Sequence, residues 1–214
     1  MRIRTMLGSL LEKGARRRAA GWSGEQLLDW GFICSALPRA PQRALAIGCG
    51  QSPILPAMLA LRYRVTAVDR GAAAAGLVSG CERIAGDFRE LNLPPGFDVI
   101  ALGAAAEHIG GPGAKADADD DLKTMRRIAG LLAPHGLVFL TLPVGADTLS
   151  RPGRRVYGRG RLPRLVEDFD IVSYRFLMRE PRGAWREATA DAALEHPSGA
   201  RGYALGEMIL SRQG

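Results

Sequence analysis

The sequence predicts an α/β fold, a mostly parallel sheet with an antiparallel edge strand and helices on both faces. Three observations carry that expectation. Apolar runs alternate with helix-like segments from residue 44 to residue 142. The first run, Ala44-Leu45-Ala46-Ile47, ends abruptly in Gly48-Cys49-Gly50, and about twenty residues later the second, Val65-Thr66-Ala67-Val68, ends in Asp69. After residue 142 the alternation stops, and two more runs, 171–178 and 203–210, suit antiparallel strands.

Residues 3–20 show amphipathic spacing, with Ile3, Met6, Leu7, Leu10 and Leu11 on one side. Ser23 can cap the next helix, with Gln26 three residues later and Trp22 placed to staple onto Leu27. Pro38 and Pro41 stop that helix, so it reaches Ala36. Residues 44–47 form the first strand. Ser52-Pro53 reads as an N-cap and first helical position, for a helix reaching Leu61. Strands follow at 64–69, 81–85 and 97–102. Between the first two, 71–80 is Ala-rich, with glycines that weaken a helix. Residues 110–119 are a Gly/Ala/Asp loop. Asp120 or Asp121 opens a helix whose Leu122, Met125, Ile128, Ala129 and Leu132 share one face, and Pro134-His135-Gly136 ends it. Residues 137–142 are the fifth strand, which Pro143 ends. Residues 145–161 are polar and arginine-rich, and 162–167 suit a short helix. The stretch 180–202 is long for a hairpin connection and holds Trp185 and a helix-like 185–195, so it is a candidate lid or substrate-facing insertion. The expectation is one domain over 1–214: a helical segment 1–40, a core 41–178, an insertion 179–202 and a final strand 203–212.

Composition narrows the classes. A chain of 214 residues can bury a sizeable core. No stretch approaches the roughly 18 apolar residues of a membrane span. The apolar run Met6–Leu11 is cut by Glu12 and Lys13, too short for a secretory signal. Cys34, Cys49 and Cys81 are scattered and odd in number, without a disulfide framework or zinc spacing, so a reducing cytoplasm is expected. The net charge of +7 is almost all arginine, lysine occurring only at Lys13, Lys115 and Lys123. With abundant Ala and Gly this reads as coding bias, and no nucleic-acid partner is expected. Two arginine clusters nonetheless stand out: Arg16 to Arg18, and Arg151, Arg154, Arg155, Arg159, Arg161 and Arg164, with no acid among the latter.

A strand, a tight glycine turn, a helix and a strand ending in a carboxylate suit a nucleoside ligand. Glycine admits positive φ and close approach of the backbone, and a carboxylate at Asp69 can accept from both ribose hydroxyls. A tight structural turn would show the same Gly-x-Gly.

The later motifs make the pattern more specific. Residues 44–50, 65–69, Gly86-Asp87-Phe88, Phe97-Asp98-Val99-Ile100 through Glu107-His108-Ile109, and 131–140 with Leu131-Leu132-Ala133-Pro134-His135-Gly136 follow in order. In that order they resemble the five motifs of the class I S-adenosylmethionine-dependent methyltransferases, over roughly residues 40–178. Glu107-His108-Ile109-Gly110, Asp121-Leu122-Lys123, Leu142-Pro143-Val144-Gly145, Arg155-Val156-Tyr157 and Arg161-Leu162-Pro163 are most similar to the DUF268-like group. The resemblance implies a Rossmann-like seven-stranded sheet and S-adenosylmethionine as cofactor. It implies that Gly48, Cys49 and Gly50 pass under the methionine portion, that Asp69 holds the ribose, that Asp87 accepts from the adenine amino group, and that the Phe88 N–H donates to the ring. Asp87 could also be a turn residue. Two positions depart from the family: Ala46 stands where an acid is usual, and Ser52 where a third glycine is usual.

The sulfonium is already activated, so positioning does most of the work in such transfers. His108 is the candidate catalytic base, since an imidazole with pKa about 6.5 can take a proton at neutral pH. The alternative is that Glu107-His108 is a structural corner. Glu107 and His108 with an aspartate from 117–121 could in principle hold Mg²⁺, but those acids also suit a helix N-terminus, and no metal is expected. Glu107, Arg155 and Tyr157 are candidate substrate-binding residues, arginine being able to grip a carboxylate or phosphate. The leading expectation is a cytoplasmic methyltransferase acting on O or N of a small molecule such as a sugar, glycan precursor or secondary metabolite. Its partner is a small-molecule acceptor, and a homodimer is possible. An RNA methyltransferase and a degenerate, non-catalytic scaffold are the alternatives. A dinucleotide oxidoreductase fits least, because Pro53 stands at the third glycine position.

Overall fold

The computed structural model describes residues 24–39, 43–49, 54–71, 79–103, 108–109, 119–150, 154–181, 183–198 and 202–213. The expected helix at 3–20, the Ser52-Pro53 helix start, most of 71–80 and 110–119, Gly50 and Glu107 lie outside the described residues. The described elements are α1 (Gly24–Ser35), β1 (Arg43–Ile47), α2 (Ile54–Ala60), β2 (Arg64–Asp69), β3 (Cys81–Ala85), β4 (Phe97–Leu102), α3 (Asp120–Leu131), β5 (Leu132–Val144), β6 (Thr148–Ser150), β7 (Arg154–Val156), α4 (Arg161–Leu165), β8 (Phe169–Arg179), β9 (Trp185–Ala188), α5 (Ala190–Leu194) and β10 (Ala204–Arg212).

Side-chain alternation explains how the central strands bury two faces. In β1, Ala44 and Ala46 pack with Ile33 of α1 and Leu55 and Leu59 of α2. Leu45 and Ile47 point the other way, into a core with Leu122, Met125 and Ile128 of α3. β4 repeats the division, Val99 and Ala101 against Ile100 and Leu102. Strands covered on both faces read as continuous apolar runs, which is what residues 44–47 and 99–102 are. Each fully buried Leu or Ile contributes about 1.5–3 kcal/mol.

One sheet of eight strands runs in the order β3-β2-β1-β4-β5-β10-β8-β9, and β6-β7 form a separate hairpin. β3, β2, β1, β4 and β5 are parallel. β10 is antiparallel to both β5 and β8, and β9 to β8. The fold class is the one expected, with one strand more. The antiparallel β10 lies inside the sheet, and the edge is β9. This β9 comes from the stretch expected to be helical over 185–195: Trp185–Ala188 pair with Arg179 through Phe176, and only Ala190–Leu194 are helical, capped where Thr189 accepts from the Ala192 N–H at 3.3 Å.

Two sequence expectations about β5 change. The Pro134-His135-Gly136 corner is there, His135 taking φ 62° in the left-handed region that histidine tolerates, but Leu132 already pairs with Phe97. Pro143 does not end the strand. Its carbonyl accepts from the Tyr157 N–H at 3.0 Å, away from β10. The position of its missing N–H lies on that same side, so the ladder to β10 loses no bond.

The chain order reverses between β1 and β4: β2 and β3 lie to one side of β1, β4 and β5 to the other. A crevice outside the carboxyl ends of strands at such a switch point is where ligands bind in open α/β sheets.

Candidate functional site

At this switch point a cavity of about 440 Å³ opens. Gly48 and Cys49 after β1, Asp69 and Arg70 after β2, Asp87 and Phe88 after β3, and His108 and Ile109 beyond β4 line it, with Gln26 of α1. The apolar ends Ile47 and Val68 form part of its floor.

Gly48 ends β1 at φ 71°, and its N–H donates to the Val68 carbonyl at 2.9 Å, tying the turn to β2. The positive φ is why glycine stands there. Burial pushes the Cys49 thiol up to about 12, so it stays protonated and is no nucleophile. The Asp69 carboxylate accepts from the Gly71 N–H at 2.8 Å, and its carbonyl accepts from the Gly86 N–H at 2.9 Å. One residue thus joins the ends of β2 and β3.

Asp87 is held more tightly than its sequence context suggests. Arg89 donates to both carboxylate oxygens from Nε, at 3.0 and 3.2 Å, and to Oδ2 from Nη2 at 2.7 Å. Arg70 reaches the same Oδ2 at 2.7 Å. These hydrogen bonds, Arg89 first, hold the Asp87 carboxyl well below the usual carboxylate range. Arg89 also pairs with Asp120 at the start of α3, linking the cavity to that helix. Phe88 is buried, with the Arg127 guanidinium 5.2 Å from its ring centre.

His108 is displaced toward its neutral form. Burial lowers its pKa first, and the positive charge of Arg154 lowers it further. Arg154 pairs with Glu25 of α1 at 3.4 Å and lies 4.1 Å above the Tyr203 ring, whose hydroxyl donates to the same Glu25 at 2.5 Å.

The structure thus brings Gly48, Cys49, Asp69, Asp87, Phe88 and His108 together. It does not bring Arg155 and Tyr157 to the cavity. Arg155 is nearly buried and pairs with the fully buried Asp121 at 3.2 Å, and Tyr157 is sealed in the core. The remaining described arginines of that cluster are engaged within the protein as well. Arg159 pairs with Asp191 and Glu195, Arg161 with Asp119 and Asp121, and Arg164 with Asp119 at 3.9 Å. Carboxylates supplied by other elements neutralise the apparent basic track. Sequence reasoning missed Gln26, Arg70 and Arg89, which line the cavity, and the pairing of Glu25 with Tyr203. Arg70 follows the strand-ending acid directly and was the one with a local signal. Glu25 and Tyr203 are 178 residues apart, and no spacing links them.

Residues 83–182 match the family described as "Caenorhabditis protein of unknown function, DUF268". Over this span the chain is similar to the DUF268 family. The DUF268 span begins in β3 and ends beyond β8, so it includes Asp87, Phe88, His108 and Arg154 and leaves Gly48, Asp69 and Tyr203 outside. A search of curated proteins finds no significant match. Solved structures match far more of the chain. A 1,6-didemethyltoxoflavin-N1-methyltransferase of Burkholderia thailandensis, with bound 1,6-didemethyltoxoflavin and S-adenosylhomocysteine, aligns at TM-score 0.67 and 18% identity, covering 99% of this chain and 88% of that one. The N-methyltransferase NodS of Bradyrhizobium japonicum WM9, in complex with S-adenosylhomocysteine, aligns at TM-score 0.60 and 17% identity, covering 91% and 90%. The mitomycin 7-O-methyltransferase MmcR aligns at 0.56 and 19%, covering 87% and 54%. The fold is that of the class I S-adenosylmethionine-dependent methyltransferases. Among the described residues no helix is long and apolar enough to cross a membrane.

Proposed function

We propose that this chain is an S-adenosylmethionine-dependent methyltransferase acting on oxygen or nitrogen of a small molecule. The observation that carries the reading is the convergence of Gly48, Asp69, Asp87 and Phe88, from three successive strand ends, on one cavity at the switch point. The residues present fit a nucleoside cofactor. Gly48 gives the backbone close approach, Asp69 offers a carboxylate to ribose hydroxyls, and Phe88 with the apolar floor offers a surface for a flat base. Both Asp87 oxygens already accept from Arg89 and Oδ2 from Arg70 as well, so an adenine amino group would share an oxygen with a guanidinium. Ala46 is fully buried with the α1 and α2 side chains and brings no carboxylate to the methionine end.

When bound, the cofactor would supply an activated methyl group. The chain's own residues would then exclude water, orient the acceptor and receive its proton at the His108 imidazole, which burial keeps neutral and able to accept. The N- and O-methyltransferases of the same fold support the small-molecule reading, and the internal pairing of the arginine cluster supports it over an RNA substrate.

Calorimetric titration of the full chain with S-adenosylmethionine and S-adenosylhomocysteine tests this. The expected result is binding on the order of micromolar, weakened at least tenfold by Asp69→Ala, which is about 1.4 kcal/mol. A folded wild-type protein that binds neither compound would refute the enzyme reading and leave a non-catalytic scaffold.

A further inference from the structure

The outer edge of the sheet is only partly covered. β9 pairs with β8 from Phe176 to Arg179, so along residues 170–175 no strand among the described residues lies on the side away from β10. Residues 170–175 are all exposed, and Ile171, Val172 and Tyr174 keep 47%, 57% and 56% of their surface in water. An open apolar edge of this kind is a template for another strand. Its charges are unanswered as well. Asp170 has no ion-pair partner among the described residues. Arg175 gives its Nε to the buried Glu207, but its side chain stays 42% exposed, and its Nη groups meet no acceptor among the described residues.

The register with β10 sets the face each of these side chains takes. Arg175 lies opposite Glu207, Ser173 opposite Ile209 and Asp170 opposite Ser211, so these three share one face. Tyr174 lies opposite Met208 and Ile171 opposite Leu210, on the other face. The register shift at Ile209/Leu210 makes Val172 an extra residue in β8. Without it, strict alternation would put Asp170 and Arg175 on opposite faces. We propose that this edge pairs, antiparallel, with the same edge of a second copy of the chain about a two-fold axis perpendicular to the sheet. Asp170 then stands opposite Arg175 of the partner subunit on one face. Ile171 stands opposite Tyr174 of the partner subunit on the other, and each contact occurs twice. Opposite charges and aromatic–β-branched pairs are the cross-strand combinations that stabilise antiparallel pairing. One patch meeting itself is the isologous contact of a closed dimer. β9 stops opposite Phe176, so the shared stretch is short and the association is weak. The proposal uses the sheet edge alone and does not depend on the methyltransferase reading.

Analytical ultracentrifugation of the full chain over a concentration series tests this, with a shift from monomer to dimer expected as concentration rises. Asp170→Arg sets like charges opposite each other, and Tyr174→Lys removes the apolar pair and puts a lysine on the edge. Both side chains are exposed in the single chain, so the fold is kept, which an unchanged urea midpoint checks. Each variant should raise the dimer dissociation constant by about tenfold or more. Hydrogen exchange at the 170–175 amides should slow with concentration in the wild type and stay fast in Asp170→Arg. A chain that stays monomeric at every concentration would overturn the proposal and leave the edge to an extended segment of a different protein. A dimer that both variants leave intact, or one that forms without slowing exchange at 170–175, would overturn it too, because the copies would then meet elsewhere.

Discussion

Asp121 is fully buried, and the charges that answer it are two guanidiniums that are themselves nearly buried. Arg155 approaches its Oδ2 at 3.2 Å, Arg161 contacts both oxygens, and the Leu122 N–H donates to Oδ1 at 3.0 Å. At an effective dielectric near 20, one pair at that separation attracts by about 5 kcal/mol. Desolvation of the three ions offsets most of this in the intact cluster. Removing one partner removes the attraction and leaves the desolvation, at a cost of about 3–5 kcal/mol. Asp121→Asn keeps the shape while removing the charge that Arg155 and Arg161 share, Arg161 keeping Asp119, so it should lie in that range. With a urea slope of about 2–3 kcal/mol/M, the midpoint should fall by more than about 1 M with the slope unchanged. Arg155→Met should also destabilise. The double variant should be less unstable than the sum of the two, because it removes a charge of each sign. A loss under about 1 kcal/mol for Asp121→Asn, or strict additivity in the cycle, would refute this account and return Arg155 to the candidates for gripping substrate.

Two further predictions concern the site's scaffold. A Cβ at Gly158 would lie 2.5 Å from the Gly145 carbonyl and 2.7 Å from the Asp147 nitrogen, both backbone atoms. Gly158→Ala should therefore cost about 1–3 kcal/mol in urea unfolding, and a neutral result would mean the loop opens easily. The Asp87 carboxyl is held below its ordinary 3.8 by Arg89 and Arg70, so the folded state binds that proton less readily than the unfolded chain. Its contribution is present above the unfolded pKa and is lost as pH falls below about 4. Melting temperature against pH should drop more steeply there for wild type than for Asp87→Asn, and parallel curves would contradict the ion-pair description.

Much of the fold was legible because local rules and the tertiary environment agree. β2 and β4 lie where apolar runs bounded by turn residues put them, β3 covers the predicted 81–85, and Gly48 marks the turn that needs positive φ. The failures share one cause. Pro143 has the local signature of a terminator because proline cannot donate, yet whether a strand needs that donor depends on which side its neighbour lies. Arg155 and Tyr157 follow β5, where the sequence suggests pocket residues, but the β6-β7 hairpin turns them inward toward Asp121 and the core. Trp185–Ala188 had no local strand signature and became a strand by pairing with β8. Glu207 sits fully buried in the middle of β10, which no alternation pattern foresees, because Arg175 of the adjacent β8 meets it across the ladder.

The sequence by itself determined the α/β class, the order of the central strands' segments and the group Gly48, Asp69, Asp87 and Phe88. Strand, glycine turn and terminal carboxylate are coded by neighbours in the chain, and their convergence follows from parallel strands sharing one carboxyl edge. Only the tertiary structure decided what the charged residues do. An arginine's role depends on which carboxylate reaches it, and Glu25, Asp121 and Asp191 arrive from elements 32 to 129 residues away. Charge complementarity acts through space over a few ångströms, and the chain's own order does not record which groups will be that close.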